Sequence, residues 1–224
     1  MPSPATTATR PTLRQRRKDA RPHELLEAAL ALFVEKGFAA TRAEEVAQRA
    51  GVSKGTLYLY YASKEELLKA VIEQYLSARI ADTAEEVRRI DGPMAPVLRD
   101  MLVPWWQQIY AGPVSGTFKL IIAEVRNFPE IADFYVREVI EPGHELVGTI
   151  LRRGIASGEF RAVDVESTVH SLLLPMVMLC IHKHALGACT SHAIDADRFI
   201  ADHVELVLAG LLQAPGRSAR KTGP

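Results

Sequence analysis

Between Thr41 and Leu68 the chain stops and restarts a helix every few residues, and this punctuation constrains its fold more than any other feature. Thr41 and Glu44 have capping-box spacing, in which a hydroxyl and a carboxylate satisfy the first free N–H groups of a helix. Val46, Ala47 and Ala50 follow as a small apolar face at helical spacing. Gly51 stands where a left-handed residue would end that helix, a conformation cheap only without a Cβ. Val52 can tuck into a core, and Ser53 is a good N-cap for a second short helix, KGTLYLYY. Ser63 with Glu66 forms a second capping box that opens a third helix. Helix, glycine turn and short aromatic, hydroxyl-bearing, cationic helix together make a helix-turn-helix signature.

The segments GVSKGTLYLYYASKEELL and ELLEAALALFVEKGFAATRAEEVA resemble the DNA-binding core of the TetR family of bacterial transcriptional regulators. The match covers roughly residues 22–80, and its features fall in the family's order: LFVEKGF, Thr41, GVSKGTLYLYY, then SKEEL. Ala62 departs from the pattern, since relatives often carry Pro or a charged residue there. The resemblance implies an all-α protein with an N-terminal three-helix helix-turn-helix DNA-binding domain. It also implies a larger C-terminal helical domain for effector binding and dimerisation.

A formal net charge of zero argues on its face against a nucleic-acid binder. The distribution reverses that reading. Residues 1–64 carry 11 Lys and Arg against 6 Asp and Glu, whereas residues 65–224 carry 16 against 21. A basic N-terminal segment on an acidic remainder is the asymmetry expected of a DNA-reading head on a body that does not touch DNA.

Each residue of the motif has an expected role. Lys54 and Lys64 are spaced to neutralise phosphates, and the hydroxyls of Thr41, Ser53, Thr56, Tyr60 and Tyr61 can donate to phosphate oxygens. Thr56 and Tyr58 are groove readers, and Arg42 can reach a phosphate or a base edge. Gly55 allows close approach of the backbone, while Leu57 faces the core. The resemblance assigns the same motif positions to double-stranded operator DNA.

In chain order, residues 1–21 are predicted to be a disordered basic arm, too poor in apolar side chains to offset the entropy of ordering. It is either a solubilising tail or an arm lying along phosphates. The head is expected over 22–68, with helix 1 at Pro22–Lys36, and a long fourth helix over 64–89 connects to the body. Asp91-Gly92-Pro93 marks a linker. The body is expected over 69–214, with helices near 95–110, 116–127, 129–157, 165–186 and 195–212, and a flexible tail follows over 215–224. Pro142-Gly143 should kink or divide the 129–157 segment.

Aromatic residues cluster in the middle helices, where helical spacing fits either a packed core or a ligand pocket. The resemblance raises the pocket reading, with Trp105, Trp106, Tyr110, Phe118, Ile121, Ile122, Val125, Phe134 and Met176 as its wall and a small apolar or aromatic effector as its occupant. The last two helices are apolar on more than one face and need burial on both sides. A larger intrachain core would supply that. The resemblance instead implies a homodimer whose interface includes Leu173, Val177, Ile181, Val204, Leu208 and Leu211.

Cys180 and Cys189 lack the spacing of a disulfide framework or zinc ribbon, which points to a cytoplasmic setting. Cys180, His182 and His184 are two apart and diverge around a helix, so no metal or other cofactor is expected. The most apolar run, Leu172–Ile181, is half the length of a membrane span. No nucleophile–base arrangement marks an enzyme. A ligand-responsive repressor is therefore the leading reading; a small-molecule binding protein with a vestigial head is the alternative.

Overall fold

The computed structural model describes residues 13–124, 126–185, 187 and 193–213. Val125, Cys189, His192, the tail and the first twelve residues of the arm lie outside them. Among the described residues eleven α-helices follow in order: α1 Leu13–Lys36, α2 Ala43–Arg49, α3 Lys54–Tyr60, α4 Lys64–Ile72, α5 Ala78–Arg89 and α6 Met94–Ala111. Then come α7 Ser115–Glu124, α8 Pro129–Tyr135, α9 Glu141–Ala156, α10 Val165–His184 and α11 Ala196–Leu211. Among the described residues there is no strand, only one isolated bridge between Phe160 and Leu212.

The head is α1 to α3 with the start of α4. Leu25, Ala29 and Phe33 on α1, Val46 on α2, Leu57 on α3 and Leu67 on α4 are fully or almost fully buried in one core. Gly51, at φ 66°, closes α2: its N–H reaches the Gln48 carbonyl and the Val52 N–H reaches the Ala47 carbonyl, the paired bonds of a Schellman turn. Ser53 accepts from the Thr56 N–H at 3.1 Å and Ser63 from the Glu66 N–H at 3.1 Å, so both caps form where the spacing put them.

Several boundaries differ from the sequence reading. Helix α1 begins at Leu13 and carries Pro22 inside it, so the segment 13–21, expected as part of a disordered arm, is helical. Arg, Gln, Lys and Ala are strong helix formers, and Pro22 removes one donor without ending the helix. The cap of α2 is Arg42, with its N–H donating to Glu45 at 3.0 Å; this carboxylate half of a box sits one residue later than the Thr41–Glu44 spacing implied, and Arg42 has no side-chain acceptor to complete it.

The helix over 64–89 is continuous but passes through a π-helical turn at Glu73–Ser77, between α4 and α5. A second π turn, Val136–Ile140, joins α8 to α9 just before Pro142. That wider turn admits the proline ring without a clash against the preceding carbonyl, so the proline neither breaks nor divides the segment. Asp91-Gly92-Pro93 is a turn within the body, not a linker between head and body. Arg153 donates to the carbonyls of Val87 (2.7 Å) and Ile90 at the end of α5, and Glu159 accepts from the Ala95 N–H at 2.9 Å at the start of α6.

In the body, α10 packs against α7, α9 and α11, and α11 packs against α6. Head meets body where α1 packs against α7 and α4 against α8. Phe38, just past α1, is fully buried and meets Phe128 edge-on at 4.8 Å, beside the start of α8.

Candidate nucleic-acid interface and effector cavity

The exposed face of the helix-turn-helix is built by α3 and the N-terminal side of α2. Arg42, Ser53, Lys54 and Gly55 are exposed, and Tyr58 is 43 % exposed. Leu59 is 83 % exposed, a large aliphatic beside Tyr58 that the sequence reading did not assign to the interface. Its position two residues beyond the buried Leu57 was the available signal, since two steps around a helix leave the core face. Thr56 is half-buried with its hydroxyl 2.8 Å from Ser53 Oγ, and Tyr60 and Tyr61 lean against the core. Lys54 pairs with Glu44 and lies 5.8 Å from the Tyr58 ring centre. Hydrogen bonding to Lys54 holds the Glu44 carboxyl below its ordinary range, so the pair is ionised and a phosphate must compete with Glu44 for the ammonium.

Two residues expected at the interface are turned elsewhere. Thr41 is buried, and its hydroxyl donates to the carbonyls of Gly37 at 2.7 Å and Leu32 at 3.2 Å. It satisfies the C-terminal end of α1. Lys64 directs its ammonium at the carbonyls of Phe38 (2.8 Å), Thr41 (3.1 Å) and Ala39 (3.3 Å), and lies 4.4 Å from the Phe38 ring centre. An ammonium has three N–H donors, and all three are engaged. Lys64 ties the turn after α1 to the start of α4.

In the body a cavity of about 410 Å³ opens among α6, α7, α10 and the α8–α9 segment. Trp105, Trp106, Phe118, Ile121 and Ile122 line it, as the sequence reading expected. Trp106 is almost completely buried, and its indole N–H has no acceptor among the described residues, an uncommon state for a buried donor.

Three of the expected wall residues lie elsewhere. Tyr110 is held at the end of α6 by Lys183, which donates to its carbonyl and lies 4.6 Å from its ring centre. Phe134 sits beneath Lys69 and Arg137, 6.0 and 5.8 Å from its ring centre. Met176 is buried on the side of α10 away from the cavity.

The face of α10 that does line the cavity carries His170, Leu173, Leu174 and Val177. Leu173 and Val177, expected at a dimer interface, are half-buried and line the cavity. Val204, Leu208 and Leu211, expected there too, are at most 3 % exposed within the single chain and belong to its core. Ile181 is half-buried against the core. The apolar side chains that α10 and α11 leave in solvent are Leu174 (58 %), Met178 (59 %), Phe199 and Leu206 (73 %). Helix α10 is apolar nearly all round, so hydropathy alone does not say which side faces inward, whereas α11 gathers its apolar residues mainly on the side where Ile200, Val204, Leu208 and Leu211 are buried.

His144 and His170 also line the cavity, with ring centres 4.9 Å apart and planes at 85°. The sequence reading missed both. Each continues a stripe at i, i+3, i+4 spacing: Val136, Val139, Ile140, His144 and Val147 on one segment, and His170, Leu173, Leu174 and Val177 on the other. Burial, and then the neighbouring His170, hold His144 below the ordinary imidazole range, with Glu166 opposing. Cys180 is buried, and burial pushes its thiol up to about 12, which leaves it unreactive at neutral pH. Among the described residues, no three His, Cys, Asp or Glu side chains gather as a metal site would require.

A three-helix head with a helix-turn-helix, joined to an all-helical body, defines a DNA-binding regulator. Residues 25–71 match the model of bacterial regulatory proteins of the tetR family, and residues 97–196 match the tetracyclin repressor-like C-terminal domain. The chain belongs to the TetR family of bacterial transcriptional regulators. It is 29 % identical over 168 residues to the HTH-type transcriptional regulator YfiR of Bacillus subtilis, covering 74 % of this chain and 80 % of YfiR. It is 28 % identical over 196 residues to the HTH-type transcriptional repressor KstR2 of Rhodococcus jostii, covering 87 % and 92 %. Its fold is similar to that of the transcriptional regulator FadR from Bacillus subtilis, solved in complex with stearoyl-CoA, at TM-score 0.70 and 19 % identity, covering 84 % and 98 %.

Proposed function

We propose that this regulator is a repressor that binds a pseudo-palindromic operator as a homodimer and releases it when a small, largely apolar effector fills the body cavity. The observation that carries the reading is the double role of α7. Its inner face supplies Phe118, Ile121 and Ile122 to the cavity. Its two ends meet the head: Gly116 packs on Val34 of α1, and Glu124 accepts from the Ala39 N–H at 3.3 Å. A ligand that displaces α7 therefore changes the seat of α1 and, through it, the spacing of the two heads. Its leverage is its differential affinity for the two arrangements, and a shift from 1:99 to 99:1 needs about 5.5 kcal/mol.

Two heads are required because a single short recognition helix reads few bases, and paired half-sites lie about 34–36 Å apart or a multiple of that. The exposed stripe of Leu174, Met178, Phe199 and Leu206 is the face that a second copy would cover. KstR2 being a repressor and FadR binding stearoyl-CoA support the direction of regulation and an apolar effector.

The test is selection of bound sequences from a random DNA library, followed by footprinting and sedimentation. The expected result is a twofold-symmetric footprint carried by two protomers. A single asymmetric half-site bound tightly by a monomer overturns the reading.

A further inference from the structure

We infer that the effector is an amphipathic acid whose carboxylate is received by the His144–His170 pair at one side of the apolar cavity. This rests on the reading of that cavity as the effector site. Leu76 and Ile80 of the long connecting helix, Trp105 and Trp106 of α6, and Ile121 of α7 offer apolar surface and suit a hydrocarbon body. The imidazoles, on α9 and α10, differ from the rest of the wall. Their rings meet edge to face at 4.9 Å, so they converge on one side of the cavity.

Two imidazoles can present two N–H donors to one group, which fits the two oxygens of a carboxylate. The titratable groups on the described wall are His144, His170 and Tyr135 of α8, whose buried phenol is pushed well above its ordinary range and stays protonated. Glu166 on α10 is the carboxylate that acts on His144, and it is exposed. No carboxylate lines the described wall, so a cationic head would be buried there without a partner.

A carboxylate entering an apolar cavity needs a positive partner. Free His144 does not readily supply one, because burial and then the neighbouring His170 favour its neutral ring. Binding of an acid must then take up a proton from solvent, leaving an imidazolium beside a carboxylate. The sign follows from linkage. The free imidazole titrates low and the bound one high, so affinity is greatest below the free value. It falls as pH rises through the window between the two.

The chain's two tryptophans both line the cavity, which makes intrinsic fluorescence a direct readout of occupancy. Decanoate and 1-decanol share a hydrocarbon body and differ in the head. Each is titrated into the full chain from pH 5.5 to 8.5. The expected result is that decanoate affinity falls by up to about tenfold per pH unit in that window, while decanol affinity stays flat. His144→Gln should abolish the pH dependence, and both it and His170→Asn should weaken decanoate at low pH, with decanol binding retained. Equal pH profiles for the two probes, or equal loss of both in the variants, would overturn the inference while leaving the cavity reading intact. If neither probe perturbs the fluorescence, the cavity reading fails and the inference fails with it.

Discussion

Gly116 of α7 lies against Val34 of α1 so closely that a Cβ on the glycine would stand 2.4 Å from one valine methyl and 2.6 Å from the other. Valine is stiff at χ1, and its own Cβ would be only 3.1 Å away, so the side chain cannot swing clear. The helix axes must separate to admit even one methyl.

Gly116→Ala should therefore cost about 1–3 kcal/mol of stability, as overpacking does, and should shift operator affinity as well. Val34→Ala in the same chain should restore much of both, because it removes the methyls that collide. Thermal unfolding and DNA titration of the two single variants and the double variant check this. Simple additivity would show that the contact does not couple head to body.

Lys64→Ala should act on the fold and not on phosphates. It removes the donors to three carbonyls after α1, and a charged hydrogen bond contributes roughly 1.5–3 kcal/mol. The expected outcome is a lower melting temperature with an unchanged slope of log K against log salt. A slope reduced by about 0.9 would instead assign Lys64 to a phosphate.

Tyr58→Ala and Leu59→Ala should leave stability nearly intact, since both side chains are exposed on α3. Each should lower discrimination between operator and random DNA, with a lost base-edge contact costing on the order of 1–3 kcal/mol. Competition titrations with both DNAs measure it. Equal loss on the two would make the residue a positioning contact.

Leu206→Glu and Leu208→Glu should separate assembly from folding, though they are two residues apart. Leu206 is 73 % exposed in the single chain, so a carboxylate there is solvated in the monomer and desolvated only against a second copy. Leu208 is 1 % exposed, and a carboxylate there is buried without a partner whatever the assembly. Sedimentation and circular dichroism should find a helical monomer for the first and loss of cooperative unfolding for the second. A Leu206→Glu chain that remains dimeric excludes that face as the interface.

What the sequence determined by itself is local. Gly51, Ser53 and Ser63 sit where they do because a left-handed turn and two N-caps each depend on residues within three positions, and all three formed. The all-α class followed from such signals, whereas the order of head and body and the pocket reading of Trp105, Trp106 and Phe118 came from the family resemblance and not from spacing alone. Only the tertiary structure decided which partner each long or ambiguous side chain meets. Lys64 is one residue from its cap, yet its ammonium goes to carbonyls more than twenty positions upstream, a contact that exists only because α1 and α4 are packed together. Helix α10 shows the same limit. When apolar residues surround a helix, burying any side yields similar hydrophobic free energy. The neighbours available in the fold then turned Leu173 and Val177 to the cavity and left Leu174 and Met178 in solvent.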